Sequence, residues 1–253
     1  MRQDSVSIER FYASALGRAV ASALVGRVVD LWQGASRLNL LGLGFPLPLM
    51  EEFAGEAKAL AAVFPDVAGR VRWDGAGRGN CTVNAPEARL PFADGVFDRA
   101  VLLHALEEAE NPRAVCRELW RVMAPEGRIV VAAANRQGLW ARAERTPFGH
   151  GRPWTLRQLS GLLSDCAFQV TASTNALFMP PMPISLVTAG VHGWERAGRW
   201  VAPGFGGVVL VEAVKRLYIE PGGGAVAPAF SSAKSGVPVA DMPQRQAEDG
   251  NLQ

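Results

Sequence analysis

Seven strand-like segments, most of them apolar, alternate with helix-like segments along this chain of 253 residues, and the alternation restricts the fold more than any other feature. The predicted strands cover 37–41, 59–64, 80–84, 99–103, 128–134, 168–178 and 207–214. The predicted helices cover 8–33, the segment from the end of the first strand to about 58, 111–123 and 156–165. Strands that alternate with helices are joined by crossovers, which make the strands parallel and place helices on both faces. The sequence therefore predicts an α/β fold with a mostly parallel sheet.

Two segments depart from this alternation. Residues 179–204 contain four prolines and two tryptophans, which indicates an insertion between the last two strands, with a short helix around 184–198. Residues 221–253 are rich in Gly, Pro, Ala and Ser and have few bulky apolar side chains, so we expect a disordered tail. The predicted organisation is an N-terminal helical extension (1–36), an α/β domain (37–220) and the tail.

Composition excludes several classes of protein and site. The net charge is +2 and the charges of both signs are interleaved, so we expect neither a nucleic-acid partner nor a membrane partner. Cys81, Cys116 and Cys166 are far apart, which argues against a disulfide framework and against a metal site. No apolar run approaches the roughly 18 residues of a membrane span. We therefore expect a cytoplasmic protein.

Residues 39–48 (NLLGLGFPLP) place two glycines directly after the first predicted strand. Gly42 and Gly44 allow a sharp turn and a close approach of the backbone to a ligand, with a helix N-terminus nearby. The same pair also suits a tight strand-to-helix turn that binds nothing. Pro46 is tolerated in the first turn of a helix, but its ring prevents the close approach that glycine permits.

Three later segments carry a resemblance to a known family. They are 90–98 (LPFADGVFD), 104–107 (HALE) and 117–127 (RELWRVMAPEG), followed by 150–155 (HGRPWT). With these segments the chain resembles class I S-adenosylmethionine-dependent methyltransferases from about residue 37 to 178. The resemblance implies a Rossmann-like sheet of seven strands whose last strand is antiparallel. It also implies that S-adenosylmethionine lies over the carboxyl ends of the first strands.

The first cofactor motif of that family is degenerate here. Leu40 stands where the family usually has an acid, Pro46 stands in place of a third glycine, and no carboxylate lies directly at the end of the second strand. The resemblance still implies cofactor contacts from Gly42 and Gly44.

Three further residues are candidates for cofactor binding. Asp66 either accepts hydrogen bonds from ribose hydroxyls or is a solvated loop residue. Glu87 either accepts a hydrogen bond from an adenine amino group or is a loop residue without a ligand role. We expect His104 to line the cleft, either as a base for a nucleophile or as a helix-start residue bonded to the backbone. Glu107 and Glu108 are expected to be solvated.

The segment 142–154 (RAERTPFGHGRPW) is the densest polar cluster of the chain. The candidate substrate-binding residues are Arg145, His150, Arg152 and Trp154. Arg145 or Arg152 would pair with a carboxylate or phosphate of the substrate, and the Trp154 indole would close the pocket. The arginines alternatively brace a long loop, or the segment forms a protein interface.

Two hypotheses follow. The first is S-adenosylmethionine-dependent methyl transfer to a small or medium acceptor. The second is a methyltransferase-like protein without catalysis that binds or regulates a protein partner. No catalytic base stands out, but methyl transfer from a sulfonium requires mainly alignment.

Overall fold

The computed structural model describes residues 3–32, 36–65, 71–182, 190–201 and 204–217. The predicted tail and Asp66 lie outside these residues. The helices are α1 (Ser5–Ala13), α2 (Ala15–Trp32), α3 (Leu47–Ala54), α4 (Pro112–Val122), α5 (Leu156–Asp165) and α6 (Val191–Val201). The strands are β1 (Asn39–Gly44), β2 (Ala59–Phe64), β3 (Thr82–Asn84), β4 (Phe97–Leu103), β5 (Met123–Ala134), β6 (Phe168–Ala176) and β7 (Val208–Lys215).

The seven strands form one sheet in the order β3-β2-β1-β4-β5-β7-β6. The pairs β2–β3, β1–β2, β1–β4 and β4–β5 are parallel, whereas β7 is antiparallel to both β5 and β6. This confirms the predicted seven-stranded α/β sheet with an antiparallel last strand. The direction of winding reverses between β1 and β4, and a ligand site in an open parallel sheet is expected outside the carboxyl ends at such a point.

Alternate side chains of the buried strands pack into two separate cores. In β1, Leu40 joins the core beneath α1, α2 and α3, whereas Leu41 and Leu43 join the core beneath α4 and α5. Side chains at the centre of the sheet are fully buried in both cores, and this two-sided burial explains why the central strands are apolar runs without polar alternation.

The single helix predicted for 8–33 is wrong in one respect, because the chain forms two helices that meet at Ser14. The Ser14 hydroxyl donates to the Phe11 carbonyl (2.6 Å) and accepts from the Gly17 amide (3.0 Å). One side chain thereby ends α1 and begins α2, so α1 is free to turn towards the carboxyl edge of the sheet.

The segment 90–98 is fixed by Arg121 of α4. Its guanidinium donates to the carbonyls of Leu90 and Phe92 and to the carboxylates of Asp94 and Glu118, at 2.6–3.1 Å. The Glu118 carboxylate in turn accepts from the Leu90 amide (2.7 Å). This motif therefore has a structural role, since it ties the loop before β4 to α4.

The turn at the end of β1 needs both of its glycines for packing. Gly44 has φ +86°, and a Cβ atom there would lie 2.3 Å from the Leu103 carbonyl oxygen of β4. A Cβ atom on Gly42 would lie 2.2 Å from the sulfur of Met50 and 2.5 Å from Pro46. The protein itself fills the space beside both glycines, so the glycines are explained without a ligand.

We expect Gly44→Ala to lower the free energy of unfolding by roughly 2–4 kcal/mol, because it combines a left-handed backbone with a backbone clash. The matched control is Gly26→Ala in α2, where nothing lies within 4 Å of the added methyl group. That variant should be neutral or stabilising by up to about 1 kcal/mol. Urea unfolding of the two variants measures the contrast, and equal effects would contradict this account of the turn.

Candidate functional site

The carboxyl ends of β1, β2 and β4 meet at one edge of the sheet, and α1 lies over this edge. The Phe45 amide, just past the glycine turn, donates to the Leu103 carbonyl at the end of β4 (2.8 Å). This bond holds the β1–α3 turn against β4. The main chain therefore leaves no gap between the ends of β1 and β4, the point where a nucleotide is expected to lie.

Buried rings fill the space above this edge. We call them the aromatic cluster, and its members are Tyr12, Phe45, Phe64, His104 and Phe148. The Tyr12 and Phe45 rings stack with their planes 3° apart and their centroids 5.9 Å apart. Phe64 meets Phe45 edge to face at 5.8 Å, and Phe148 lies 4.6 Å from the His104 ring. None of the five residues is more than 8% exposed, so the cluster is a packed core.

His104 lies at the centre of the cluster in a strained backbone conformation. Its φ is +53°, which is uncommon for a residue with a side chain. Its Nε2 atom shares a hydrogen bond of 2.9 Å with the hydroxyl of Tyr12 from α1. Burial lowers the pKa of His104 to about 3, so the imidazole is neutral at physiological pH. Burial also raises the pKa of Tyr12 well above its ordinary value. The predicted position of His104 at the edge is correct, but Tyr12 covers it.

Glu107 is buried at the same edge, so the expectation of a solvated residue is wrong. Its Oε1 accepts from the Ala134 amide at the end of β5 (2.9 Å), and its main-chain carbonyl accepts from the Arg152 amide (2.7 Å). Its Oε2 is buried with no hydrogen-bond partner among the described residues. Burial raises the pKa of Glu107 to about 7. A buried carboxyl with a raised pKa at a strand end is typical of functional sites.

The residues present do not fit a nucleotide cofactor in this arrangement. Gly42 and Gly44 pack against the protein, His104 is covered by Tyr12, and the candidate Asp66 lies outside the described residues. Phe64 is the last residue of β2, the position where the family resemblance implies a carboxylate that binds ribose, and it is fully buried. Glu87 lies half-buried in the turn after β3. The aromatic cluster fills the space outside the carboxyl ends of β1, β2 and β4.

The four candidate substrate-binding residues are not brought together. Arg152 and Trp154 line a groove of about 590 Å³ between the N-terminal turn of α4 and the length of α5. Arg145 lines a second groove of about 450 Å³, beside α1. His150 Nε2 lies 2.8 Å from the Glu144 carbonyl and so braces the loop. The structure thus divides one dense sequence segment between two surfaces and a brace.

Within the described ranges, no group of three or more His, Cys, Asp or Glu side chains is placed to hold a metal ion. No helix among the described residues has both the length and the apolarity needed to cross a membrane.

Comparison with known proteins identifies the family. Residues 52–131, from α3 into β5, match the model of the methyltransferase domain family. The chain therefore contains a segment of the methyltransferase domain family and has the fold of class I S-adenosylmethionine-dependent methyltransferases. The match begins beyond the glycine turn of β1. S-adenosylmethionine is the cofactor of this family.

Individual relatives agree with this assignment. An uncharacterized protein of Mycobacterium tuberculosis is 29% identical over 151 residues, which are 57% of this chain and 50% of that protein. A demethylmenaquinone methyltransferase of Mycolicibacterium vanbaalenii is 33% identical over 130 residues, 50% of each chain. The chain therefore spans about half the length of these curated relatives.

A solved structure shows the same fold. It is a S-adenosylmethionine-dependent methyltransferase of Thermotoga maritima, described as a possible histamine N-methyltransferase, with a TM-score of 0.58 at 17% identity. The alignment covers 82% of this chain and 94% of that one.

Removing the Tyr12 hydroxyl tests the bond at the centre of the cluster. Tyr12→Phe keeps the ring stacked but leaves His104 Nε2 buried without this partner, so we expect a loss of about 1–3 kcal/mol in the free energy of unfolding. The control is Val6→Ala on the same helix, where the side chain is 61% exposed, which should have little effect. Equal unfolding curves for wild type and Tyr12→Phe would contradict the buried bond.

The pKa of Glu107 predicts a pH dependence of stability. The folded-state pKa of Glu107 is raised from 4.5 to about 7. The contribution of the protonated carboxyl to the free energy of unfolding is therefore fully present below pH 4.5 and is lost as the pH rises through about 7. Glu107→Gln keeps an acceptor for the Ala134 amide and carries no charge. Between these limits, wild type should lose up to about 3 kcal/mol relative to the variant. Urea unfolding over this pH range measures the difference, and parallel profiles would rule out a buried, titrating Glu107.

Proposed function

We propose that this protein transfers a methyl group from S-adenosylmethionine to a small or medium acceptor at the carboxyl edge of β1, β2 and β4. The observation that carries the proposal is the family match over α3 to β5, on a sheet that reverses its winding between β1 and β4. In such a sheet the crevice outside these strand ends is the expected ligand site.

In this proposal α1 is a cover that must withdraw before the cofactor binds. Only Ser14 separates α1 from α2, and it provides a hinge between the two helices. Withdrawal of α1 removes the Tyr12 ring from Phe45 and its hydroxyl from His104. His104 would then be hydrated, and its pKa would rise towards the ordinary value because burial is what lowers it. The imidazole would become a base at the edge of the sheet.

The groove beside α1 is the route that we propose for the acceptor. It is lined by Arg10 and Phe11 of α1, by Arg145 of the loop after β5, and by Met182. Phe11 also packs edge to face on Phe148 of the aromatic cluster, with the ring centroids 6.4 Å apart. The groove is therefore continuous with the cluster, and its volume of about 450 Å³ suits a small molecule. Arg145 would pair with an acidic group of the acceptor.

The aromatic cluster, which fills the space outside the strand ends, motivates a second candidate function. A chain whose cluster never opens would keep the fold and lose the cofactor. It would then act as a binding or regulatory partner of another protein. The two candidates differ in whether α1 can leave the edge.

Calorimetric titration with S-adenosylhomocysteine distinguishes the two candidates. Under the first, wild type binds, and Tyr12→Ala binds about tenfold more tightly because the closed state is less populated. The matched control is Val6→Ala on the same helix, where the side chain is 61% exposed, and its affinity should equal that of wild type. Circular dichroism would establish that each variant is folded before the titration. If folded wild type and folded Tyr12→Ala both fail to bind, the methyl-transfer proposal is wrong and the second candidate stands.

A further inference from the structure

The larger groove, on the face of the sheet opposite α1, is lined by an unusual set of cations. It lies between the N-terminal turn of α4 and the length of α5, has a volume of about 590 Å³, and is lined by Arg113, Arg136, Arg152, Arg157 and Trp154. We propose that this groove, which we call the arginine groove, binds a small molecule that carries a phosphate group.

The charges of the arginine groove do not cancel. Arg113 pairs with Asp165 at 2.6 Å, which neutralises one cation. The other charged residues that line the groove are Arg136, Arg152, Arg157 and Glu110, so three positive charges face one negative charge. The excess positive charge is confined to a concave surface, where field lines concentrate and an anion is attracted.

Two guanidinium groups are available for direct contact. In the described part of the chain, Arg152 and Arg157 have no side-chain hydrogen bond or ion pair. Arg136 makes only long bonds, with its Nε and Nη2 atoms 3.3 and 3.2 Å from the Pro153 carbonyl. Guanidinium forks bind phosphate oxygens in pairs, and they do so better than ammonium groups. Three forks around one groove suit a phosphate dianion.

The floor of the arginine groove is held rigidly by main-chain bonds. The Trp154 amide donates to the Ala134 carbonyl (2.8 Å), and the Trp154 carbonyl accepts from the Arg136 amide (2.9 Å). The Arg152 amide donates to the Glu107 carbonyl (2.7 Å). The segment thus continues the sheet beside the end of β5. A site fixed before binding loses less entropy when a ligand arrives.

The helix N-termini themselves are not the binding groups. The Asn111 side chain caps α4 by accepting from the Ala114 amide (3.1 Å). Thr155 and Gln158 form a capping box on α5, with bonds of 3.1 and 3.2 Å. The capped amides are already satisfied, so they are not available to an anion. The guanidinium groups must hold the anion.

Trp154 gives the site a flat apolar wall. Its ring is half-buried and packs against the core beneath α4 and α5, and Leu162 of α5 lines the same groove. Its indole Nε1 is buried and has no hydrogen-bond partner among the described residues. The indole face favours stacking of a ring or an apolar group carried by the phosphate ester.

This inference does not depend on methyl transfer. None of the residues of the arginine groove belongs to the aromatic cluster, and the β4–α4 connection with Glu107 lies between the two. The groove would bind its anion whether or not the chain binds S-adenosylmethionine.

Phenyl phosphate is the probe for the experiment, because it combines the two expected features. We expect saturable binding by calorimetry in the micromolar to millimolar range, with a shift of one indole N–H signal in ¹H–¹⁵N spectra. Trp154→Phe assigns that signal by removing it. Arg152→Gln and Arg157→Gln should each weaken binding by about tenfold or more, since each removes a charge-assisted contact. Both residues are exposed, so the fold should tolerate the changes.

The control is Arg72→Gln, an exposed arginine near β3 at the opposite edge of the sheet, which changes the net charge equally. It should leave the affinity unchanged. Absence of saturable binding to the folded protein would overturn the proposal. So would an equal loss in Arg72→Gln, which would indicate general electrostatic attraction. Benzoate binding as tightly as phenyl phosphate would overturn the assignment to phosphate.

Discussion

The buried hydrogen bond between Tyr12 and His104 joins the N-terminal helix to the end of β4, and much of the candidate site depends on it. It satisfies two polar groups in an otherwise apolar cluster, where an unpaired group would be costly. It also holds the Tyr12 ring against Phe45, and the burial that results keeps His104 neutral. Through these contacts α1 becomes part of the core at the place where a methyltransferase fold is expected to present its cofactor site.

The glycine turn and the aromatic cluster support one another. Gly44 allows β1 to press on the Leu103 carbonyl, and this places Phe45 over the end of the sheet. Phe45 then fills the space between Tyr12 and Phe64. A turn that looks suited to a nucleotide thus serves packing. For this reason a Val substitution at either glycine would disturb the fold and would not test cofactor binding, whereas Tyr12 can be changed without altering β1.

The sequence predicted the sheet well because each buried strand is a continuous apolar run. The bounds of β2 and of α5 agree with the prediction, and the family resemblance implied the seven strands with an antiparallel last strand. The break at Ser14 was missed, since a serine capping two successive helices looks like an ordinary polar position in an apolar stripe.

The candidate site was predicted less completely because it is built from contacts distant in sequence. Tyr12 and His104 are 92 residues apart, and nothing local links them. Glu107 is buried by its contact with Ala134, which helical periodicity does not reveal. Phe45 and Phe64 could have indicated from the sequence that this edge is packed, because bulky apolar side chains occupy positions where the family resemblance implies ligand contacts.

The central claim is that α1 closes the cofactor edge and must leave it for S-adenosylhomocysteine to bind. Hydrogen exchange of the α1 amides, with and without saturating S-adenosylhomocysteine, tests this claim directly. The account predicts that residues of Ser5–Ala13 lose protection on binding while β1 and β4 remain protected. Binding that leaves the protection of α1 unchanged, or increases it, would contradict the account.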